Sequence, residues 1–236
     1  QFYTYLREKS PVPYAGYIAI DGYSVVSASP ELFIQKKGAS IITKPIKGTM
    51  KRGETPYVDA LLKQSLYESI KDHAELVMIV DLMRNDLRKI CEGSSIKVPV
   101  LRDIETFQYL HHGVATVSGR CKPNIGLSDI MGAMFPGGSV TGAPKYRAME
   151  LIQEIEPEPR GAYTGMFGYV SGNGDMMGNI AIRTLYADKM RIWFHAGSGI
   201  VADSDPDKEW YETVIKRQDM MDSLHACQHR QPAYKS

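Results

Sequence analysis

Paired β-rich segments joined by tight turns most strongly constrain how this chain folds. Four such runs lie within residues 14–47, and AYTGMFGYVSG, NIAIRTLYA and MRIWFHAGSGIVA follow within residues 162–202. The connections SGNGDM and ADKM between the last three are typical of hairpins. Strands that follow one another through hairpins form antiparallel sheets, whereas strict alternation with helices indicates a parallel sheet. The pattern therefore predicts an α+β fold.

Segments with helical periodicity separate these strand-like runs. The longest has apolar residues at helical spacing, and its second half, AELVMIVDLM, is apolar nearly all round, which predicts a deeply buried helix end. Proline, glycine and small polar residues mark where the helices begin and end. The predicted helices cover residues 55–87, 128–134, 143–156 and 205–225.

Composition excludes several classes of protein. The net charge is only +1, and no apolar run approaches the roughly 18 residues of a membrane span. We therefore expect neither a nucleic-acid nor a membrane partner. The cysteines, Cys91, Cys121 and Cys227, are widely spaced and form no CxxC pair, which argues against a disulfide framework or a zinc site and favours the cytoplasm.

The 236 residues are enough for one large domain. We expect a single catalytic domain over residues 1–225 and a loose tail over residues 226–236. Because the chain begins at Gln1 rather than Met, we expect it to be a piece of a longer protein.

Carboxylates form the first candidate site. Glu209 and Glu212 lie three residues apart near the start of the last predicted helix, and the small-residue segment HAGSGIVADSDP precedes them. Glu75 comes just before the apolar run LVMIVDLM, where an unpaired charge is costly. Converging carboxylates suit Mg²⁺, a hard ion that prefers oxygen ligands. The alternative is a solvated helix face on which Glu212 pairs with Lys216.

The glycine-rich segment FPGGSVTGAPK is the second candidate. A helix that starts near Pro144 presents free N–H groups to an anion, and Lys145 would add charge. The Walker A pattern is absent, so nucleotide binding is not supported. The alternative is a glycine-rich connector capped by Thr141.

Lys47, in the segment TKPIKGT, is the third candidate. It lies at a predicted strand end, and Glu31, in SASPE, lies at the end of the preceding strand pattern. A desolvated lysine amine acts as a nucleophile, and a carboxylic acid in the same pocket supplies a proton. The alternative is an ordinary surface lysine. Arg183 is embedded in the apolar run NIAIRTLYA, which indicates an anionic partner.

Together these segments resemble the chorismate-utilising enzymes, which include the anthranilate, aminodeoxychorismate, isochorismate and salicylate synthases. The motifs SPE, PIKGT, AELVMIVDLMRNDL, FPGGSVTGAPKYRAMELI, PRGAYTG, NIAIRT and AGSGIVADSDPDKEWYE occur in the family order from about residue 14 to 220. The resemblance implies two mainly antiparallel sheets packed orthogonally with helices outside, in four α/β/β/α layers.

The resemblance also implies a role for each candidate residue. Glu75 and Glu212 match Mg²⁺ ligands, with Glu209 beside them, and Glu31 matches a general acid. Of the two adjacent histidines, His112 is taken as the match to the histidine of the family motif, with His111 as the alternative. The expected substrate-binding residues are Arg183, Tyr163, Lys216, Thr141, His112, Gly197 and Gly199.

Lys47 discriminates within the family. By resemblance, the anthranilate and isochorismate enzymes carry a small residue at this position, whereas the lysine is typical of aminodeoxychorismate synthase component I. There the lysine adds to C2 of chorismate, and ammonia from a glutamine amidotransferase partner then adds at C4. Anthranilate synthase component I and a catalytically silent partner-binding fragment are the alternatives.

Overall fold

The computed structural model describes residues 2–202 and 204–228. The chain divides into two compact units, one formed by Gln1–Pro30 with Ala181–Ser236 and the other by Glu31–Ile180. Each unit contains its own antiparallel sheet. The single domain expected over residues 1–225 stays a prediction.

Runs of strands are separated by runs of helices along the chain, as in an α+β protein. The helices are α1 Phe2–Lys9, α2 Pro56–Glu68, α3 Ile70–Ile90, α4 Leu127–Met134, α5 Gly138–Thr141, α6 Lys145–Ile155 and α7 Pro206–Gln228. The strands are β1 Tyr14–Ile20, β2 Tyr23–Ser29, β3 Leu32–Lys37, β4 Ser40–Lys44, β5 Ile46–Lys51, β6 Lys97–Thr106, β7 Leu110–Arg120, β8 Met166–Val170, β9 Met176–Ile180, β10 Thr184–Ala187 and β11 Ile192–Phe194.

The unit formed by the two ends of the chain has a four-stranded sheet in the order β1-β2-β10-β11. Its hydrophobic core contains Leu6 of α1, Val26 and Leu185 of the sheet, and Met220 of α7. Helix α1 is an element that the sequence patterns did not predict. Helix α7 ends at Gln228, so residues 226–228 are helical rather than part of a loose tail, and residues 229–236 lie outside the described residues.

The central unit has a seven-stranded sheet in the order β5-β7-β4-β3-β9-β8, with β6 paired to β7. Helix α3 packs against β7, β5 and β6 and against helices α4 and α5. Its buried residues recur at helical spacing, as an amphipathic helix requires. They are Leu76, Ile79, Val80, Met83, Asp86, Leu87 and Ile90.

Two features of the long helical segment differ from the prediction. The segment forms two helices rather than one, because Ser69 adopts an extended conformation (φ −60°, ψ 111°) and its hydroxyl accepts a hydrogen bond from the Asp72 N–H, which caps α3. The stretch AELVMIVDLM is buried on one face only, since Val77 and Met78 are 39% and 40% exposed. Among the residues that the structure describes, no helix combines the length and apolar character needed to cross a membrane.

Candidate functional site

Glu31 lies immediately before β3 and is buried, with 5% exposure. Leu32 pairs with Lys44, so Glu31 lies opposite the corner where β4 continues into β5. Its carboxylate accepts hydrogen bonds from the Ser139 side chain and the Ile46 N–H. Burial raises the pKa of Glu31 to about 7, although Ser139, Lys47 and Ile46 oppose the rise. The fold therefore keeps much of this carboxylic acid protonated at neutral pH.

Lys47 of β5 lies between two acidic side chains. Its Nζ is 3.6 Å from Oε2 of Glu75 on α3, and the two side chains are only 18% and 16% exposed. Lys47 also interacts electrostatically with Glu31. The predicted proximity of Glu31 and Lys47 is therefore confirmed, but β3 and β5 are not adjacent strands, because β4 and β7 lie between them in the sheet.

Gly48 explains how β5 approaches the helices closely enough for this contact. Its φ is +83°, a left-handed value that favours glycine. A Cβ atom at this position would lie 2.9 Å from Cγ of Asp72 on α3 and 2.9 Å from Cδ1 of Leu66 on α2. The glycine of PIKGT thus lets the strand lie against the start of α3, one turn before Glu75.

The two adjacent histidines of β7 have different surroundings. Nδ1 of His112 lies 2.9 Å from Oγ1 of Thr49 on β5, and the imidazole lies 5.6 Å from the Phe107 ring. His111 instead bridges Asp59, 2.9 Å from its Nε2, and Thr106, 3.0 Å from its Nδ1. His111 therefore holds α2 against the sheet, which agrees with the choice of His112 as the ring-pocket residue. That role stays a prediction.

The glycine-rich segment packs tightly against the rest of this unit. A Cβ atom on Gly138 would lie too close to Cδ2 of Leu82 and 2.7 Å from Cε of Met83, so a larger residue here would displace the ends of these two side chains between α5 and α3. Thr141 is not a helix cap, because its Oγ1 donates a hydrogen bond to the Gly137 carbonyl 3.0 Å away. Ser139, which contacts Glu31, lies in this segment and was missed by the sequence reasoning.

Lys145 does not contribute charge to an anion site. Its Nζ lies 2.5 Å from Oδ2 of the buried Asp86 and donates to the Met134 carbonyl. Lys89 reaches the other oxygen of Asp86 at 3.0 Å. The prediction that Lys145 adds charge for an anion at the start of α6 is therefore wrong, because its ammonium group is bound to the buried Asp86 and the Met134 carbonyl.

Tyr163 lies in the loop between α6 and β8. Burial raises the pKa of Tyr163, and the nearby Arg160 guanidinium partly opposes this rise. Arg160 also donates a hydrogen bond to the Val140 carbonyl at 2.8 Å, which ties this loop to α5. The predicted Tyr163 and Thr141 are thus held on connected segments of the central unit.

In the other unit, Arg183 lies just before β10 rather than within a strand. Its φ is +47°, an uncommon left-handed conformation for a residue with a side chain. Its carbonyl still accepts a hydrogen bond from the Ala28 N–H at 3.0 Å, so the backbone is held by β2.

Residues of α7 contact the glycine-rich segment before it. Nζ of Lys216 lies 2.6 Å from Oε1 of Glu212 and 3.3 Å from the Gly197 carbonyl oxygen. Glu209 is buried, and its Oε1 accepts a hydrogen bond from the Ser204 hydroxyl at 2.8 Å. The Glu209 carbonyl accepts a hydrogen bond from Ser198, which lies between Gly197 and Gly199. The structure therefore brings Glu209 and Lys216 of α7 into contact with the segment that contains Gly197 and Gly199.

Carboxylate oxygens are the ligand type that Mg²⁺ prefers, so the predicted donors fit the ion chemically. Glu75 pairs with Lys47, however, and Glu212 pairs with Lys216. Among the described residues, no group of three His, Cys, Asp or Glu side chains is placed to hold a metal ion. The magnesium site stays a prediction.

Comparison with known proteins supports the resemblance noted from the motifs. A family model described as chorismate binding enzyme matches residues 1–222. Aminodeoxychorismate synthase component 1 of Klebsiella aerogenes is 46% identical over 92% of this chain and 48% of its own length. Anthranilate synthase component 1 of Aquifex aeolicus is 41% identical over 97% of this chain and 46% of its own length.

A solved structure shows the same fold. The crystal structure of anthranilate synthase component I from Streptococcus pneumoniae matches 93% of this chain and 48% of its own with a TM-score of 0.84 and 38% identity. The expected α+β class with two mainly antiparallel sheets and helices is therefore confirmed. The chain spans about half the length of the curated relatives named here.

Proposed function

Because the chain belongs to the chorismate-binding enzyme family, we propose that the protein acts as component 1 of an aminodeoxychorismate synthase. Its substrates are chorismate and ammonia, and its product is 4-amino-4-deoxychorismate, the precursor of para-aminobenzoate and folate. The relative from Klebsiella aerogenes carries this activity in its name, which supports the proposal. The wording "component 1" in that name also supports a partner component, which we propose is a glutamine amidotransferase that delivers the ammonia. We propose that the protein acts in the cytoplasm.

The position of Lys47 carries the proposal. Its amine is largely buried between Glu31, whose pKa is about 7, and Glu75. In the proposed first step the neutral amine attacks C2 of chorismate, the two conjugated double bonds of the ring shift, and the C4 hydroxyl leaves. Protonated Glu31 donates a proton to that hydroxyl, which departs as water, and the amine nitrogen loses its own proton. Ammonia then attacks C4 and its nitrogen loses a proton, the reverse shift breaks the bond between C2 and the lysine nitrogen, and Lys47 takes up a proton and leaves as the neutral amine.

Glu75 has a further part in this chemistry. Its Oε2 lies 3.6 Å from Nζ of Lys47 and is placed to accept the proton that the amine nitrogen loses after it attacks C2.

We assign the substrate contacts to the residues that the family motifs indicate. Arg183, Tyr163 and Lys216 bind one substrate carboxylate, because cationic and phenolic groups donate hydrogen bonds to it, and the backbone of Gly197 and Gly199 contributes. Thr141 and His112 line the ring pocket. A Mg²⁺ ion, held by Glu75 and Glu212 with Glu209 nearby, would neutralise the charge of the other carboxylate.

Anthranilate synthase is the second candidate, since the relative from Aquifex aeolicus with that name covers 97% of this chain. The two activities give different products from the same reactants. The test incubates the protein at its full encoded length with chorismate, ammonium and Mg²⁺, and separates the products by liquid chromatography and mass spectrometry.

The product decides between the two candidates. The proposal predicts 4-amino-4-deoxychorismate without fluorescent anthranilate. Anthranilate as the main product would establish the second candidate instead. If the protein shows no turnover and calorimetry detects no chorismate binding, the alternative of a catalytically silent, partner-binding fragment would be correct. Lys47→Ala should lose the formation of 4-amino-4-deoxychorismate. Its matched control is Lys51→Ala, which changes an exposed lysine on the same strand.

A further inference from the structure

Two buried cysteines of the central unit face each other at the end of the seven-stranded sheet. Cys91 ends helix α3, Cys121 follows strand β7, and the two residues form an isolated antiparallel bridge. Cys91 is fully buried and Cys121 is 5% exposed. The sequence alone did not predict this pair, because 29 residues lie between the two cysteines along the chain.

The backbone hydrogen bonds define how the two side chains meet. The Glu92 N–H donates to the Arg120 carbonyl and the Lys122 N–H donates to the Ile90 carbonyl, each at 2.9 Å. These bonds flank Cys91 and Cys121, which therefore form a non-hydrogen-bonded antiparallel pair. In such pairs the Cα atoms are about 4.5 Å apart and the side chains approach more closely than at hydrogen-bonded positions. Disulfides require Cα separations of roughly 4.4–6.8 Å.

Side-chain packing brings the sulfur atoms together. The two thiols are close enough to influence each other electrostatically. Gly119 lies two residues before Cys121 on the same face of β7, and a Cβ atom there would lie 2.8 Å from Sγ of Cys91. The absence of a side chain at Gly119 leaves room for the Cys91 thiol beside Cys121.

We propose that Cys91 and Cys121 are a redox modification site that forms an intramolecular disulfide with a peroxide oxidant. One thiolate attacks a peroxide oxygen, the O–O bond breaks, and a sulfenic acid and hydroxide form. The second thiol attacks the sulfenic sulfur and expels its oxygen as water. In total, two thiols and one hydrogen peroxide give one disulfide and two water molecules. The sulfur atoms lose two electrons and the peroxide gains them.

Burial makes this reaction slow in the native state. Burial and the adjacent Cys121 raise the pKa of Cys91 to about 12, and burial also raises the pKa of Cys121. The thiolate is the reactive form, so both cysteines stay reduced until an oxidant is in excess. Once formed, the disulfide ties the C-terminal end of α3 to the end of β7 and restricts the unfolded chain between residues 91 and 121.

Peptide mapping of the protein at its full encoded length tests the proposal. The protein is treated with hydrogen peroxide, free thiols are blocked with an alkylating reagent in denaturant, and the protein is digested with trypsin. The proposal predicts a linked species of peptides 90–97 and 121–145 that has lost two hydrogens and disappears with a reductant. Cys227 lies on the other unit and is only partly buried, so its oxidation verifies that the peroxide acted.

Variants and a stability readout complete the test. The linked species is expected unchanged in Cys227→Ser and absent in Cys121→Ser, and oxidation is expected to raise the Tm of the wild-type protein by roughly 5–10 °C. Complete alkylation of Cys91 and Cys121 while Cys227 is oxidised would overturn the proposal. So would a linkage of either cysteine to Cys227. Because the wild-type map decides the matter, a variant that fails to fold does not affect the conclusion.

Discussion

Replacing Glu31 with glutamine tests the protonation state that the fold imposes on this residue. Glutamine has nearly the same shape and can still accept the hydrogen bonds from Ser139 and the Ile46 N–H, but it cannot ionise. The wild-type carboxyl is buried with a pKa of about 7, against 4.5 for an unperturbed glutamate. The native state therefore binds the Glu31 proton more tightly than the unfolded chain does.

The effect of pH on stability follows from the difference between the pKa of Glu31 in the native state and in the unfolded chain. Because the pKa is raised in the native state, the contribution of Glu31 to stability is complete below about pH 4.5 and is lost as the pH rises through about 7. The difference between a pKa of about 7 in the native state and 4.5 in the unfolded chain corresponds to a loss of about 3 kcal/mol well above pH 7. Glu31→Gln removes this dependence, so the variant should be more stable than the wild type by about 3 kcal/mol near pH 9 and by much less near pH 4.

Urea unfolding of both proteins across this pH range measures the difference. Glu158→Gln, which changes an exposed glutamate in the α6–β8 loop, is the control and should not alter the pH dependence. A Glu31→Gln protein whose stability relative to the wild type is the same at both ends of the range would refute the raised pKa. In activity assays the same variant should lose about 100-fold or more in kcat, because it cannot donate a proton to the leaving hydroxyl.

Three further substitutions test separate parts of the structure. Gly48→Ala should destabilise the protein by about 2 kcal/mol, whereas the control Gly38→Ala should cost about 1 kcal/mol, because Gly38 is also left-handed but has no neighbour within 4 Å of an added Cβ atom. Equal losses of stability in urea unfolding would contradict the close approach of β5 to α2 and α3. Lys145→Met should lower the free energy of unfolding by about 3 kcal/mol, because it leaves the buried Asp86 without its nearer cation. Unchanged stability together with weaker chorismate binding would instead support an anion site at Lys145. Arg183→Lys should raise the KM for chorismate at least tenfold, since lysine cannot form two parallel hydrogen bonds to a carboxylate, and should keep the Tm within a few degrees. A lower stability with normal kinetics would show that Arg183 stabilises the fold rather than binding the substrate.

Local patterns located most of the strands, because alternating β-rich runs and turn residues act over a few neighbours. The run NIAIRTLYA was wrongly predicted as one strand, since it is divided between β9 and β10 of the two sheets. The break at Ser69 was missed because the apolar periodicity continues through it, and only the hydroxyl contact with the Asp72 N–H separates α2 from α3. Helix α1 was missed because its single buried residue, Leu6, gives no repeating apolar pattern. Its position depends on packing against α7, more than 190 residues away in the sequence.

The candidate site shows the same division between local and long-range information. The motifs identified Glu31 and Lys47, and the structure places them together because the β4–β5 corner lies beside the start of β3. Nothing in the local sequence indicated that Lys145 neutralises Asp86, which is 59 residues earlier in the chain. Ser139 was overlooked because a serine in a glycine-rich segment has many ordinary roles, and only its contact with Glu31 distinguishes it.

The central claim is that the amine of Lys47 forms a bond with the substrate. Mass spectrometry of the protein incubated with chorismate and Mg²⁺, without ammonia, tests this claim directly. Trypsin does not cleave after a modified lysine, so the adduct should appear on the peptide of residues 38–51 with a mass increase of one chorismate minus one water. The adduct should be absent in Lys47→Ala and present in Lys51→Ala. An unmodified Lys47 under saturating chorismate, together with C4 amination by Lys47→Ala at the wild-type rate, would contradict the account.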